Sequence, residues 1–243
     1  FTWRNYGGEI LEYFGEVAGP AGSNARPSFW PTTHDILPPF LQHSGVAGFA
    51  IRAVLAATGS PTWGIYTGYE LIENVPRPGV EEQIDNEKYE YKQRNWERAG
   101  DIGIALLLGK LNDIRKAHPA LQQLRNLTIH TSENENVLAY SRRIRKEHLP
   151  LAIDNELGVS VPLDEDDVIL TIVSLDPWGI QEATIHLDWG ALGILPPEGV
   201  DSYAPFIDGE DLLTGQKVFW SAHPYVRLNP RFEVAHVMRL RKA

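Results

Sequence analysis

Apolar positions along this chain change their period near the middle. Between Glu9 and Val17, the residues Ile10, Tyr13, Phe14 and Val17 fall on one face at helical spacing. Pro27-Ser28-Phe29-Trp30 is a short buried-strand candidate. Val46 to Thr58 is rich in Ala, Val, Ile and Leu, and Gly59-Ser60-Pro61 stops it, which predicts a helix and its C-terminus. Trp63 to Tyr66 predicts the next short strand. A strand, helix, strand order with short links implies parallel pairing and a right-handed crossover. Residues 71–94 read as a polar loop, in which Glu81, Glu82, Asp85, Glu87 and Glu90 form a solvated face. Asn95 then suits the N-cap of a long helix with Ala99, Ile102, Leu106, Leu107, Leu111 and Ile114 on its apolar side, ended by Pro119.

From about Leu124 the pattern turns to short β segments: Leu127–His130, Val137–Ser141, Val168–Val173 and Ala183–Leu187. A hairpin around Leu213-Thr214-Gly215-Gln216 follows, then a last strand near Val234–Leu240. Thr184 and His186 alternate with Ile185 and Leu187, as in a sheet with one wet face. Short strands broken by turn residues predict an antiparallel β-sandwich of roughly 120 residues. Arg142–Asp167 has no clear period and reads as an excursion at the sandwich edge.

At 243 residues the chain can bury a sizeable core, in one large unit or two modest ones. A formal charge of -10 argues against a nucleic-acid partner, because phosphate binding needs clustered cations. Cysteine is absent, so no disulfide framework is available, and Arg52 and Lys110 interrupt the longest apolar runs, which excludes a membrane span there. The expected compartment is the cytoplasm. The single Met is Met238, and Phe1-Thr2-Trp3-Arg4-Asn5 reads as the tail of a strand, so the chain is expected to be the C-terminal piece of a longer protein. Its histidines, His43, His118, His130, His186, His223 and His236 among them, lack metal-ligand spacing, and neither a metal nor a cofactor is expected.

Candidate chemistry concentrates at two places. Trp30-Pro31-Thr32-Thr33-His34-Asp35-Ile36-Leu37 closes the first strand with a His-Asp pair. Ser60-Pro61-Thr62-Trp63-Gly64-Ile65-Tyr66-Thr67-Gly68-Tyr69-Glu70 carries aromatics and a Glu at the end of the second. A carboxylate at one strand's C-terminal end, with aromatics and a Glu at the next, is how a sugar pocket is built on a parallel α/β barrel.

These residues resemble a known family. Phe29 to Leu37 looks like the region of glycoside hydrolase family 13, the α-amylase superfamily, where an Asp often preceded by His ends the seventh barrel strand. Ser60-Pro61 through Glu70 is similar to that superfamily's eighth-strand region. Finer matches run along the chain: Phe1-Thr2-Trp3-Arg4-Asn5, Ile51-Arg52-Ala53-Val54-Leu55-Ala56-Ala57-Thr58, Gly68-Tyr69-Glu70-Leu71-Ile72-Glu73-Asn74-Val75, Asn86-Glu87-Lys88-Tyr89-Glu90, Leu111-Asn112-Asp113-Ile114-Arg115 and His118-Pro119-Ala120-Leu121. All resemble the bacterial α-1,4-glucan:maltose-1-phosphate maltosyltransferases. The implied fold is α/β plus all-β: residues 1–123 as the C-terminal part of a (β/α)8 TIM barrel, from the end of strand 6 through helix 8, then residues 124–243 as an antiparallel β-sandwich.

The resemblance implies transfer of maltosyl units from maltose 1-phosphate to the non-reducing end of an α-1,4-glucan by a retaining double displacement. The nucleophile and the acid/base carboxylate belong to strands upstream of Phe1, so the isolated piece is expected to be inactive. Asp35 aligns with the family's transition-state-stabilising Asp; its bland alternative is an N-cap of the following turn. Lys88 aligns with a lysine placed at the donor sugar. His34 departs from the Pro of the subfamily and matches the wider superfamily, either donating to a sugar hydroxyl or packing in the loop. Tyr66 and Tyr69 either wall the pocket or fill strand ends, Glu70 is expected to anchor its loop through backbone N–H groups, and Arg94 and Trp96 to pack the loop-to-helix junction. The partners implied are maltose 1-phosphate, α-1,4-glucan and the N-terminal remainder of the enzyme, with a homodimer left open. Two other readings stand beside this one: a glucan hydrolase or trehalose-forming enzyme of the superfamily, and a non-catalytic glucan-binding piece using Trp178, Trp189 and Trp220.

Overall fold

A buried helix and a curled sheet share one core. The computed structural model describes residues 1–85, 91–101, 103–149, 152–154, 159–161 and 164–243. Its first part contains α1 (Gly7–Ala18), β1 (Ser28–Phe29), α2 (Pro39–His43), α3 (Gly45–Gly59), β2 (Thr62–Trp63) and α4 (Ala105–Ala117). Helix α1 buries Ile10, Phe14 and Val17, the face its sequence pattern marks. Helix α3 is different: every residue from Gly48 to Gly59 is buried. A helix apolar nearly all round belongs in the middle of a core. Strands β1 and β2 flank α3 in sequence and pair in parallel, Ser28 opposite Thr62 and Phe29 opposite Trp63.

Three arginines hold this part by binding carbonyls rather than carboxylates. Arg52, buried within α3, donates to the carbonyls of Phe1 (2.8 Å), Thr2 (3.2 Å) and Arg4 (2.6 Å), and lies over the Phe1 ring. Arg142 donates to Thr58 O (2.8 Å) and Gly59 O (2.5 Å), and also to Gln123 O. Arg115 donates to Ala57 O, Ser60 O (2.9 Å) and Pro61 O (2.5 Å). The last carbonyls of a helix lack intrahelical donors and carry the negative end of its dipole, so two guanidinium groups satisfy both demands at the end of α3. Burial pushes Arg52 and Arg142 down to about 10.

The second part contains β3 (Leu127–Ser132), β4 (Val137–Ile144), β5 (Ala152–Asp154), β6 (Val159–Val161), β7 (Asp167–Ser174), β8 (Gln181–His186), α5 (Trp189–Leu192), β9 (Ile207–Asp211), β10 (Lys217–Trp220), β11 (Tyr225–Leu228) and β12 (Ala235–Lys242). Eight of these strands form one antiparallel sheet in the order β10-β9-β12-β7-β4-β3-β8-β11, while β5 and β6 pair separately. The predicted two-layer sandwich is thus a single curled sheet. Val226 and Leu228 from one edge, and Ile207 near the other, join Val137, Ala139, Leu170, Ile172 and Ile185 in one apolar cluster. The alternate residues Leu138, Tyr140, Ile169, Val173, Ala235 and Val237 join the other cluster, with Phe14, Val54 and Leu55 from the helices. The period of two on a strand sends neighbours to opposite faces, and the central strands are buried on both. Tyr140 marks the junction: its hydroxyl lies 2.6 Å from Thr58 Oγ1 and its ring meets Phe14 edge-on. Burial pushes this phenol up to about 12.

The structure corrects the sequence reading in several places. Phe1–Asn5 is not a strand; it turns, with the Arg4 N–H donating to Phe1 O at 3.1 Å. The long helix expected from Asn95 is broken. Asn95 caps only the short 3-10 turn Trp96–Ala99, accepting from Glu97 N at 3.1 Å, and α4 starts at Ala105. Gly103 explains the break, since it passes so close to Glu70 O that a Cβ there would lie 1.9 Å from it. In consequence Leu106 is 80% exposed, and Leu108 takes the buried place beside Leu111 and Ile114. Ile102 lies outside the described residues. The excursion expected from Arg142 starts later, because β4 runs on to Ile144. Among the described residues no helix is long and apolar enough to cross a membrane.

Candidate active-site face

The parallel pair sets the face on which the candidate residues meet. Beyond β1 and β2 the main chains stay together, with the Gly64 N–H donating to Phe29 O at 3.0 Å. Gly64 is required for this approach, since a Cβ there would lie 2.4 Å from the Trp30 ring. The chain from β1 then makes a tight turn: Thr33 N–H donates to Ile36 O (3.1 Å) and Ile36 N–H returns to Thr33 O (3.3 Å). Thr33 Oγ1 accepts from Asp35 N at 3.2 Å, and Leu37 N–H is held by Glu81 O at 2.7 Å.

His34 and Asp35 stand at the tip of this turn. His34 Nε2 lies 2.9 Å from Asp35 Oδ2, with the side chains 44% and 40% exposed. So exposed a pair contributes no more than about 1 kcal/mol to stability. Its effect is orientation, presenting a carboxylate and an imidazole edge together. Tyr66, from the segment after β2, brings its ring to 6.2 Å from that of His34. His34, Asp35 and Tyr66 therefore converge at the C-terminal ends of two parallel strands.

Tyr69 does not join them. It is buried against Phe49, and its hydroxyl donates to Phe49 O at 2.5 Å. Burial raises its phenol well above the ordinary tyrosine range. Of the two readings for the tyrosines, Tyr69 takes the core one, while Tyr66 is half-buried with its ring beside His34. Glu70 anchors its loop as expected, its Oε2 accepting from Gly68 N at 3.0 Å where Gly68 has the positive φ of 99° that favours glycine. Arg94 packs the junction, donating to Glu73 Oε1 at 3.0 Å, whereas Trp96 is 48% exposed. Lys88 lies outside the described residues. The three tryptophans of the binding-piece reading have different fates: Trp178 is well exposed, Trp189 partly so, and Trp220 packs against the inner cluster of the sheet.

Sequence reasoning missed the three carbonyl-binding arginines. A signal was present for Arg52 alone, an Arg inside the apolar segment Ala50-Ile51-Arg52-Ala53-Val54; Arg115 and Arg142 have polar neighbours, Lys116 and Arg143, and do not stand out. A buried guanidinium needs several acceptors, and loose ends of helices and turns offer them.

Comparison with known proteins places this geometry. Residues 129–240 match the family described as "GLGE, C-terminal". An α-1,4-glucan:maltose-1-phosphate maltosyltransferase of Arcanobacterium haemolyticum is 47% identical over 242 residues, covering 99% of this chain and 33% of that protein. Maltosyltransferase 2 of Streptomyces coelicolor is 44% identical over 245 residues, covering 100% of this chain and 33% of its own. The chain thus spans about a third of the length of these curated relatives. An α-amylase from Geobacillus thermoleovorans, solved with acarbose, superposes with a TM-score of 0.61 at 13% identity, over 99% of this chain and 44% of that one. An isomaltulose synthase of Erwinia rhapontici superposes with a TM-score of 0.56 at 13% identity, over 95% and 45%. By these measures the chain is homologous over its whole length to the C-terminal third of the α-1,4-glucan:maltose-1-phosphate maltosyltransferases, and its fold is that of the α-amylases.

Proposed function

We propose that this chain is the C-terminal portion of a retaining maltosyltransferase that moves maltosyl units from maltose 1-phosphate to the non-reducing end of α-1,4-glucans. The observation that carries the reading is the 47% identity over 242 residues with an enzyme of that name. Residues 1–123 are read as the last strands and helices of a (β/α)8 barrel, and residues 124–243 as its C-terminal β domain. The nucleophile and the acid/base are assigned to the part of the enzyme that the longer relatives have and this chain lacks, so no Asp or Glu here takes those roles.

In this reading Asp35 accepts hydrogen bonds from the hydroxyls of the sugar whose bond is broken. Those bonds strengthen as the ring flattens toward an oxocarbenium ion, so they favour the transition state over the bound donor. His34, in contact with Asp35, fixes the carboxylate's orientation and offers its own ring edge to a hydroxyl. Tyr66 forms one side of the donor site, and Lys88 supplies charge-assisted bonds to hydroxyls. Tyr69 acts behind the site by fixing the second loop to α3.

The test is Asp35→Asn in the complete enzyme. Turnover should fall on the order of 10²–10³-fold with donor affinity much less affected, as for loss of one preorganised group acting in the transition state. Near-normal turnover would remove Asp35 from the mechanism. Release of phosphate from maltose 1-phosphate by the purified 243-residue piece alone would contradict the assignment of the missing carboxylates.

A further inference from the structure

Asp211, Glu233 and His236, on the C-terminal sheet, bring one ligand atom each to within 4.8 Å of one another. Asp211 ends β9. Its Oδ1 accepts from Leu213 N (2.9 Å) and Val237 N (3.3 Å), while its Oδ2 faces His236 Nδ1 at 3.0 Å. Glu233 closes the turn between β11 and β12, where Asn229 and Glu233 exchange backbone bonds of 3.0 and 2.7 Å. Its Oε1 lies 3.2 Å from the same Nδ1.

An imidazole Nδ1 carries at most one hydrogen, so it cannot donate fully to both Asp211 Oδ2 and Glu233 Oε1. Glu233 Oε1 is closed off from solvent and receives no hydrogen bond. Among the described residues, no Lys or Arg forms an ion pair with either carboxylate. Two carboxylates thus converge on a single imidazole nitrogen, and the Asp211 side chain is only 2% exposed.

We propose that Asp211, Glu233 and His236 form a binding site for a divalent transition-metal ion of the zinc type. Two carboxylates and an imidazole are a donor set such an ion accepts, with water completing a tetrahedron. Ligand bonds of roughly 2.0–2.2 Å in a tetrahedron set donor atoms about 3.3–3.5 Å apart. The observed 3.0 and 3.2 Å to His236 need open by a few tenths of an ångström, and the two carboxylates lie within 4.8 Å of each other. On binding, the Nδ1 proton leaves to solvent, the ring keeps its Nε2 hydrogen, and the freed lone pair on Nδ1 takes the metal. The ion would join the β9–β10 hairpin to the β11–β12 turn. Its role is therefore structural, and the site shares no residue with the Asp35 turn.

The experiment is calorimetric titration of chelator-treated, full-length enzyme with Zn2+, and in parallel with Mg2+, while following the thermal midpoint. One Zn2+ per chain and a raised midpoint are expected, with Mg2+ much weaker because it prefers six oxygens. Glu233→Gln keeps the shape of the turn and should weaken Zn2+ at least tenfold, as should His236→Gln, while His186→Gln should bind as wild type. Failure of the wild-type enzyme to bind Zn2+ would overturn the site. So would unchanged affinity and stoichiometry in both Glu233→Gln and His236→Gln.

Discussion

His130 shows how a fold decides the chemistry of a single side chain. It is buried on β3, its Nε2 lies 2.8 Å from Ser141 Oγ, and its Nδ1 accepts from Asp188 N at 3.1 Å. A ring that accepts at Nδ1 is neutral, with its hydrogen on Nε2. Burial pushes the imidazole down to about 4 from its ordinary 6.5, only partly opposed by the nearby Asp188 carboxylate. In the unfolded chain the ring takes up a proton as pH falls through about 6.5, and in the folded chain it resists. Stability from this residue is complete above pH 6.5 and lost as pH falls toward 4, on the order of 3 kcal/mol in all. Urea unfolding between those values should show a shallower pH slope in His130→Gln, and an unchanged slope would refute the assignment. At this scale the position of Asp35 on a turn just beyond a short strand was readable from the residues around it. The place of Tyr69 was not, because an aromatic at a strand end has the same pattern whether it lines a pocket or fills a core.

At the scale of elements, the end of α3 is held from outside the helix. Arg142→Met would leave Thr58 O, Gly59 O and Gln123 O without their donor inside the core. A loss on the order of 3 kcal/mol or more is expected by chemical denaturation, and Arg142→Lys should recover only part of it because an ammonium lacks the planar fork. The break before α4 offers a second test. Gly103→Ala drives a methyl into Glu70 O and should cost on the order of 1–3 kcal/mol, whereas Gly100→Ala, with open space around it, should change stability by only a few tenths. Thermal unfolding of the two variants side by side separates the cases. Helices α1 and α3 could be read from their apolar faces and stop signals. The break at Gly103 could not, since the apolar residues around it keep helical spacing and the carbonyl that takes the Ile104 N–H, that of Glu70, is distant in sequence.

For the whole molecule, the sheet is not an appendage to the helical part. Leu138, Tyr140, Ile169, Val173, Ala235 and Val237 face the helices, and residues 124–243 produced alone would expose them together. That fragment should bind a hydrophobic dye and self-associate in size-exclusion chromatography, whereas a monomeric, dye-silent fragment would show that the sheet is self-sufficient. Strands β3, β4, β7, β8 and β12 were legible from their apolar runs and turn residues, but β5, β6 and β11 were not, nor was the way the sheet curls, because a sandwich and a curled sheet send the same residues inward. One further consequence follows from the two guanidinium groups that take the carbonyls of Ala57 through Pro61. They moor the stretch from which β2 and Tyr66 set out, and one mooring is rooted in β4. A chimera that exchanges the sheet with that of a relative will keep the alignment of Tyr66 beside His34 only if the incoming β4 brings its own arginine to that spot.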